Sequence, residues 1–89
     1  MRIVPLKLKD AEEFLAKHDR HYKAPIEAVC AIGVADESGI HGAAVLGFSE
    51  AGDGELAHIY VDGISQGYSL LYGAVWRAFK AMGFQKAVL

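Results

Sequence analysis

Three short stretches hold residue types at spacings that can do chemistry. The first is "HIYV", residues 58–61. In a strand, His58 and Tyr60 lie on one face. A histidine ordinarily titrates near pH ~6.5, which suits a base taking a proton from an ammonium group. A tyrosine can return a proton to a leaving thiolate. On the residues alone the plainer reading takes precedence: two half-buried strand side chains. The second stretch is "SQGYS", residues 65–69, at the start of an amphipathic helix. Free N–H groups and the helix dipole there favour an anion such as pyrophosphate. Gly67 allows close backbone approach, and Ser65 either caps the helix or meets a phosphate. A plain capped helix start is the alternative. The third is "HDRHY", residues 18–22. His18 and His21 have a spacing that can place two metal ligands on one helix face. Only His41, His58 and Cys30 offer further ligands of that kind, so no metal site is assigned. His18 reads more simply as a packing residue.

Composition narrows the classes. A chain of 89 residues makes one domain, and a domain of this size buries only about 60–65% of its unfolded surface. The hydrophobic share is 53%, and the mean hydropathy is +0.20. The apolar surplus points to a subunit interface, hence a homodimer. A net charge of −2 gives no footprint for nucleic acid. The single cysteine, Cys30, forms no internal disulfide, which suits a reducing, cytoplasmic setting. Its apolar neighbours suggest a buried, inert thiol. No apolar run approaches the ~20 residues of a membrane span. The charged start lacks the core of a signal peptide.

The elements that must position these residues follow from pattern. "RIVPLKL" alternates as a strand, and Pro5 assigns it to an edge or a bulge. "DAEEFLAKHDRHY" opens with a capping box, Asp10 with Glu13. Ala11, Phe14, Leu15 and His18 form its apolar face, and the helix is expected to end near Arg20, with Pro25 opposing continuation. "AVCAIGVAD" reads as a buried strand, "DESG" as a turn and "IHGAAVLGFSE" as the hairpin partner. In that partner Gly42 and Gly47 mark close packing or a bulge. After the "AGDGE" turn, "LAHIYVDG" is a third strand of the meander. Strict alternation puts Leu56, His58 and Tyr60 on one face, and Ala57, Ile59 and Val61 on the other. A long helix runs from about Gly67 to Met82, with Tyr68, Leu71, Tyr72, Val75, Phe79 and Met82 as its apolar stripe. Arg77 and Lys80 are expected to face water. Gly83 suits a Schellman ending in which Phe84 packs on Phe79. "QKAVL" is the last strand. The expected fold is α/β, a mixed sheet with helices packed on it, in the order β-α-β-β-β-α-β.

This order, with "MRIVPLKLKDAEEFLAKHDRHYKAP", "VDG" and above all "SLLYGAVWRAFKAMGF", resembles the GNAT N-acetyltransferase fold. It is similar to short GNAT-like proteins often encoded in prophages, and the similarity covers nearly the whole chain. The resemblance implies acetyl-CoA as cofactor. It implies pantetheine contacts to the backbone of Ile59, Tyr60 and Val61, and a pyrophosphate site at Ser65, Gln66, Gly67, Tyr68 and Ser69. It adds Glu55 to His58 and Tyr60 as a candidate catalytic residue, and gives Arg20, His21 and Tyr22 a place along an acceptor cleft. Two departures stand out. "SQGYSLL" breaks the glycine spacing usual in that loop, and the C-terminal helix and strands usual in the family are missing, so residues 1–89 read as a single truncated domain. Two functions follow as expectations. One is acetyl transfer from acetyl-CoA to an amine. The other is a non-catalytic GNAT-like interaction or dimerisation module, with the last strand's edge covered in a dimer.

Overall fold

The computed structural model describes residues 1–23, 28–49, 51–63 and 65–88, the side chains of Ser65 and Val88 excepted. Pro25 lies outside them. The elements are β1 (Arg2–Leu6), α1 (Leu8–His18), β2 (Cys30–Asp36), β3 (Gly39–Phe48), β4 (Gly54–Val61), α2 (Ser65–Ala81) and β5 (Ala87–Val88). The strands lie side by side in chain order. The first four pair antiparallel, and β5 joins β4 in parallel through Gly54–Ala87 and Glu55–Val88. Pro5, opposite Ile32, sits on the edge strand β1 as its missing donor requires.

Two apolar layers flank the sheet. On one face α2 covers Val34, Ala44, Leu46 and Val61 with Leu71, Val75 and Phe79. On the other α1 covers Ala31, Ala43 and Val45 with Ala11 and Leu15. A meander covered on both sides needs apolar residues at successive strand positions, which is why β2 and β3 read as near-continuous apolar runs. Cys30 is half-buried, and burial pushes its thiol ionisation up.

Both helices depart from expectation in detail. α1 begins earlier, after Lys7 in extended conformation, and no side chain caps it. The capping box at Asp10 and Glu13 is therefore not formed. Asp10 instead lies in the first turn, where its charge meets the positive end of the dipole. The helix stops at His18, whose side chain is exposed and lies against Phe14, ring centroids 4.5 Å apart. On α2 the buried line runs through Gly67, Leu71, Ala74, Val75 and Phe79. Tyr72 and Met82 are 38% and 43% exposed and do not belong to it. Small Ala74 and Gly67, passed over in a reading by large apolar residues, set the contact line. The ending is as expected: Gly83 has φ of 92°, the Phe84 N–H donates to the Phe79 carbonyl at 3.0 Å, and the two rings meet edge to face.

Two β-bulges break the sheet register. Between β2 and β3, Val34 pairs with Gly42 and Ala35 with Ile40, which leaves His41 as the extra residue. Between β3 and β4, Val45 pairs with His58 and Leu46 with Leu56, which leaves Ala57 extra. A bulge shifts the side-chain alternation by one residue. Leu56 accordingly packs with Ile59 and Val61 under α2, while Ala57 and Tyr60 pack under α1. The expected grouping of Leu56 with His58 and Tyr60 fails for this reason. His58 and Tyr60 do share a face, and both bulges sit at or beside a histidine.

Candidate functional site

His58 meets a partner that sequence spacing does not reveal. Asp19, the residue that ends α1, places Oδ2 2.6 Å from His58 Nε2. The two side chains are only 24% and 15% exposed. Asp19 Oδ1 also accepts the His21 N–H at 3.0 Å. These contacts hold the Asp19 carboxyl below its ordinary range: the His58 hydrogen bond first, then the His21 amide, against a smaller opposing cost of burial. The tautomer that suits Asp19 carries its proton on Nε2, so Nδ1 keeps the lone pair. This is the arrangement of a base oriented by a carboxylate.

Tyr22 closes the other side. Its ring meets the His58 ring edge to face, centroids 4.9 Å apart. Its hydroxyl is buried without a hydrogen-bond partner among the described residues. Burial, and secondarily the charge of Glu12, pushes its ionisation up, so it stays a phenol. Phe14 packs at 6.3 Å from the Tyr60 ring and joins this aromatic wall. Of the expected acceptor residues, Tyr22 lies at His58, while Arg20 and His21 are exposed. Glu55 sits at the start of β4, opposite Gly47 and beside Val88. It shares no hydrogen bond with His58 or Tyr60 among the described residues, and the structure does not bring it into their cluster.

Beyond Glu55, β4 has no strand on its β5 side among the described residues. Its backbone there, from Leu56 to Val61, leads toward the first turn of α2. The side chains of Ile59 and Val61 are committed to the core under α2. Gln66 and Ser69 are exposed, Tyr68 is half-buried against the core, and the Ser65 side chain lies outside the described residues. Gly67 has a packing use. It is buried, and a Cβ there would stand 2.6 Å from Val61 Cγ1. Its missing side chain lets α2 approach β4. Gly67→Ala is expected to destabilise the fold by about 1–3 kcal/mol, read as a lower urea midpoint. A wild-type midpoint would contradict this close contact.

A second polar cluster lies where the β2–β3 turn meets the residue after β4. His41 Nε2 is 2.8 Å from Asp36 Oδ1, and His41 Nδ1 is 3.2 Å from Asp62 Oδ1. The Ser38 hydroxyl and amide both donate to Asp36 Oδ1, at 2.7 and 2.8 Å. These donors hold the Asp36 carboxyl far below its ordinary range, Ser38 contributing most and His41 next. The Asp36 hydrogen bond, with the charges of Asp36 and Asp62, raises the His41 pKa.

Both aspartates with depressed folded pKa, Asp19 and Asp36, contribute stability that is present above their ordinary value of about 4. It is lost as the pH falls from there through the depressed values. The urea midpoint is expected to drop steadily below about pH 4, and the Asp19→Asn/Asp36→Asn double variant to flatten that limb. An unchanged acid limb in the double variant would contradict the assignment.

Sequence reading singled out neither Asp19 nor the His41 cluster. One signal for Asp19 was available: an acid at a helix C-terminus opposes the dipole and calls for a compensating partner. The cluster at His41 depends on a bulge beside Gly42, where the sequence pointed to close packing or a bulge without choosing between them. No family model, curated protein or solved structure matches the chain.

Proposed function

We propose that the protein is a GNAT-like acyltransferase that binds acetyl-CoA along the free edge of β4 and at the N-terminus of α2. One observation carries this reading: the Asp19–His58 pair lies beside a stretch of β4 that, among the described residues, pairs with β5 at Gly54 and Glu55 and no further. An open strand edge offers backbone donors and acceptors to an extended amide chain such as pantetheine. The exposed positions Gln66 and Ser69 flank the helix N-terminus, where the dipole favours pyrophosphate. In the reaction an amine nitrogen attacks the thioester carbonyl and the C–S bond breaks. His58 Nδ1 takes the proton of the attacking amine, and the coenzyme A thiolate is protonated in turn. Tyr60, on the same face, is the nearest phenol on β4 for that step. Asp19 fixes the orientation of the imidazole and accepts its Nε2 proton as a hydrogen bond. Fold analogy contributes the reaction class, and the residues contribute the roles.

The experiment is a calorimetric titration of acetyl-CoA into folded protein. Saturable binding with a Kd on the order of micromolar, competed by coenzyme A, supports the reading. No heat from folded protein rejects it.

One observation favours a second reading, a homodimerising interaction module. Tyr72 and Trp76 lie one turn apart on the outer face of α2, 38% and 37% exposed, with Lys80 over the Trp76 ring. Aromatic residues of this kind are enriched at protein interfaces. Sedimentation equilibrium of the wild type and of Trp76→Glu tests it: a dimer lost in the variant supports the reading, and a monomeric wild type removes it.

A further inference from the structure

We propose that His41 is a proton-operated clasp that fastens the β4–α2 junction to the β2–β3 turn while its imidazole is charged and releases it when neutral. The bulge makes His41 the extra residue of β3, so its side chain is aimed by the bulge rather than by strand alternation. Doubly protonated, the ring donates from Nε2 to Asp36 and from Nδ1 to Asp62. Asp36 ends β2, and Asp62 follows β4 directly. Gly63 comes next, with φ of 62°, and α2 begins at Ser65. The clasp therefore joins the turn to the short segment from which α2 departs.

A neutral imidazole has one N–H and keeps only one carboxylate. The geometry says which. Asp36 lies closer to the ring, and the Ser38 amide and hydroxyl hold it in place. The Ser38 oxygen is also 2.9 Å from Nε2, but its proton goes to Asp36 at the shorter 2.7 Å, which leaves Nε2 as the donor. The Asp62 carboxylate sits at 3.2 and 3.4 Å from Nδ1 and has no other hydrogen bond among the described residues. Deprotonation turns a ring lone pair toward Asp62, and Asp62 lets go. The backbone bond from the Asp62 N–H to the His41 carbonyl, 2.8 Å, then stands alone.

The surrounding charges fit this behaviour. Glu37 is exposed in the turn. Arg2 on β1 lines a cavity of about 430 Å³ with Met1, Asp36, Glu37 and Ser38. The first turn of α2 carries no acidic residue. Asp36 and Asp62 are thus the two anions bonded to His41, and both favour its charged form. The sign follows: the clasp is fully closed below about pH 6.5, the ordinary histidine value, and opens as pH rises through the raised value in the folded state.

The test is an NMR titration of the ligand-free protein, with the His41 and His58 ring signals assigned separately. The Asp62 and Gly63 amides are expected to titrate with the His41 ring. Corrected for base catalysis, exchange of the Asp62 amide is expected to speed up about fivefold across that midpoint. In His41→Gln the step vanishes. Should that variant not fold, Asp62→Asn carries the test, since it is expected to move the His41 midpoint down and remove the exchange step. A His41 ring that titrates while the Asp62 and Gly63 amides stay still overturns the clasp. A further arm rests on the proposed acetyl-CoA reading: affinity is expected to weaken across the same midpoint. Clasp behaviour without any acetyl-CoA binding overturns that reading and leaves the clasp standing. Binding with motionless junction amides does the reverse.

Discussion

Replacing Phe79 with alanine is expected to lower stability by about 3–5 kcal/mol, a large share of the roughly 4–13 kcal/mol available to a domain of this size. Phe79 is fully buried and belongs to the α2-side core. Its ring also fills the place of a side chain at Gly54, where a Cβ would stand 2.6 Å from Phe79 Cδ1. Gly54 is the first residue of β4, pairs with Ala87, and donates its N–H to the Lys86 carbonyl at 3.1 Å. Phe84, which leads the chain out of α2, packs edge to face on the same ring. One side chain therefore supports the helix end, the start of β4 and the docking of β5. Its removal leaves a cavity that backbone at Gly54 cannot collapse to fill. Phe79→Leu retains part of the volume and is expected to lose less. Urea unfolding followed by circular dichroism measures both, and a loss under about 1 kcal/mol for alanine would contradict this placement.

Under the proposed acyl transfer, His58→Gln is expected to reduce the rate by about a hundredfold or more in kcat, with little change in KM for acetyl-CoA. Glutamine keeps a donor for Asp19 but offers no lone pair basic enough to take a proton from an ammonium. Asp19→Asn acts through His58. It removes the carboxylate 2.6 Å from Nε2, so the imidazolium formed in the reaction loses its counter-charge. The expected result is a smaller loss in kcat with a displaced pH profile. A merely structural Asp19 would lower the melting point and leave the pH profile of the proposed reaction in place. Full turnover in His58→Gln would remove His58 from the mechanism.

Strand order and helix placement were legible because they rest on patterns that act locally. Pro5 fixes an edge, Gly83 and Phe84 end a helix, and the apolar runs of β2 and β3 require cover on both faces. The details that failed have non-local causes. The alternation in β4 is interrupted at Ala57 because β3 and β4 together carry a bulge; Gly47 marked close packing or a bulge on β3, and nothing in either strand assigned the extra residue to Ala57. Gly67 was legible as a close approach, and the structure shows one such approach, to Val61. The candidate site was half legible. His58 and Tyr60 stood out by type, and Tyr22 entered through the family resemblance. Asp19 comes from 39 positions away in the chain, and only the packing of α1 on the sheet brings it to His58. Glu55 was drawn toward the site by resemblance, and among the described residues no hydrogen bond joins it to His58 or Tyr60.

The central claim is that one ligand lies along the edge of β4 and ends at the first turn of α2. The most direct measurement is a ¹H–¹⁵N correlation spectrum of the protein titrated with acetyl-CoA. The account predicts saturable shifts at the amides of Ala57 to Val61 and of Gln66 to Ser69, with the His58 ring signal moving alongside them and the α1 surface at Lys9 and Glu13 still. Shifts absent from both segments, or confined to residues away from β4 and α2, would contradict it.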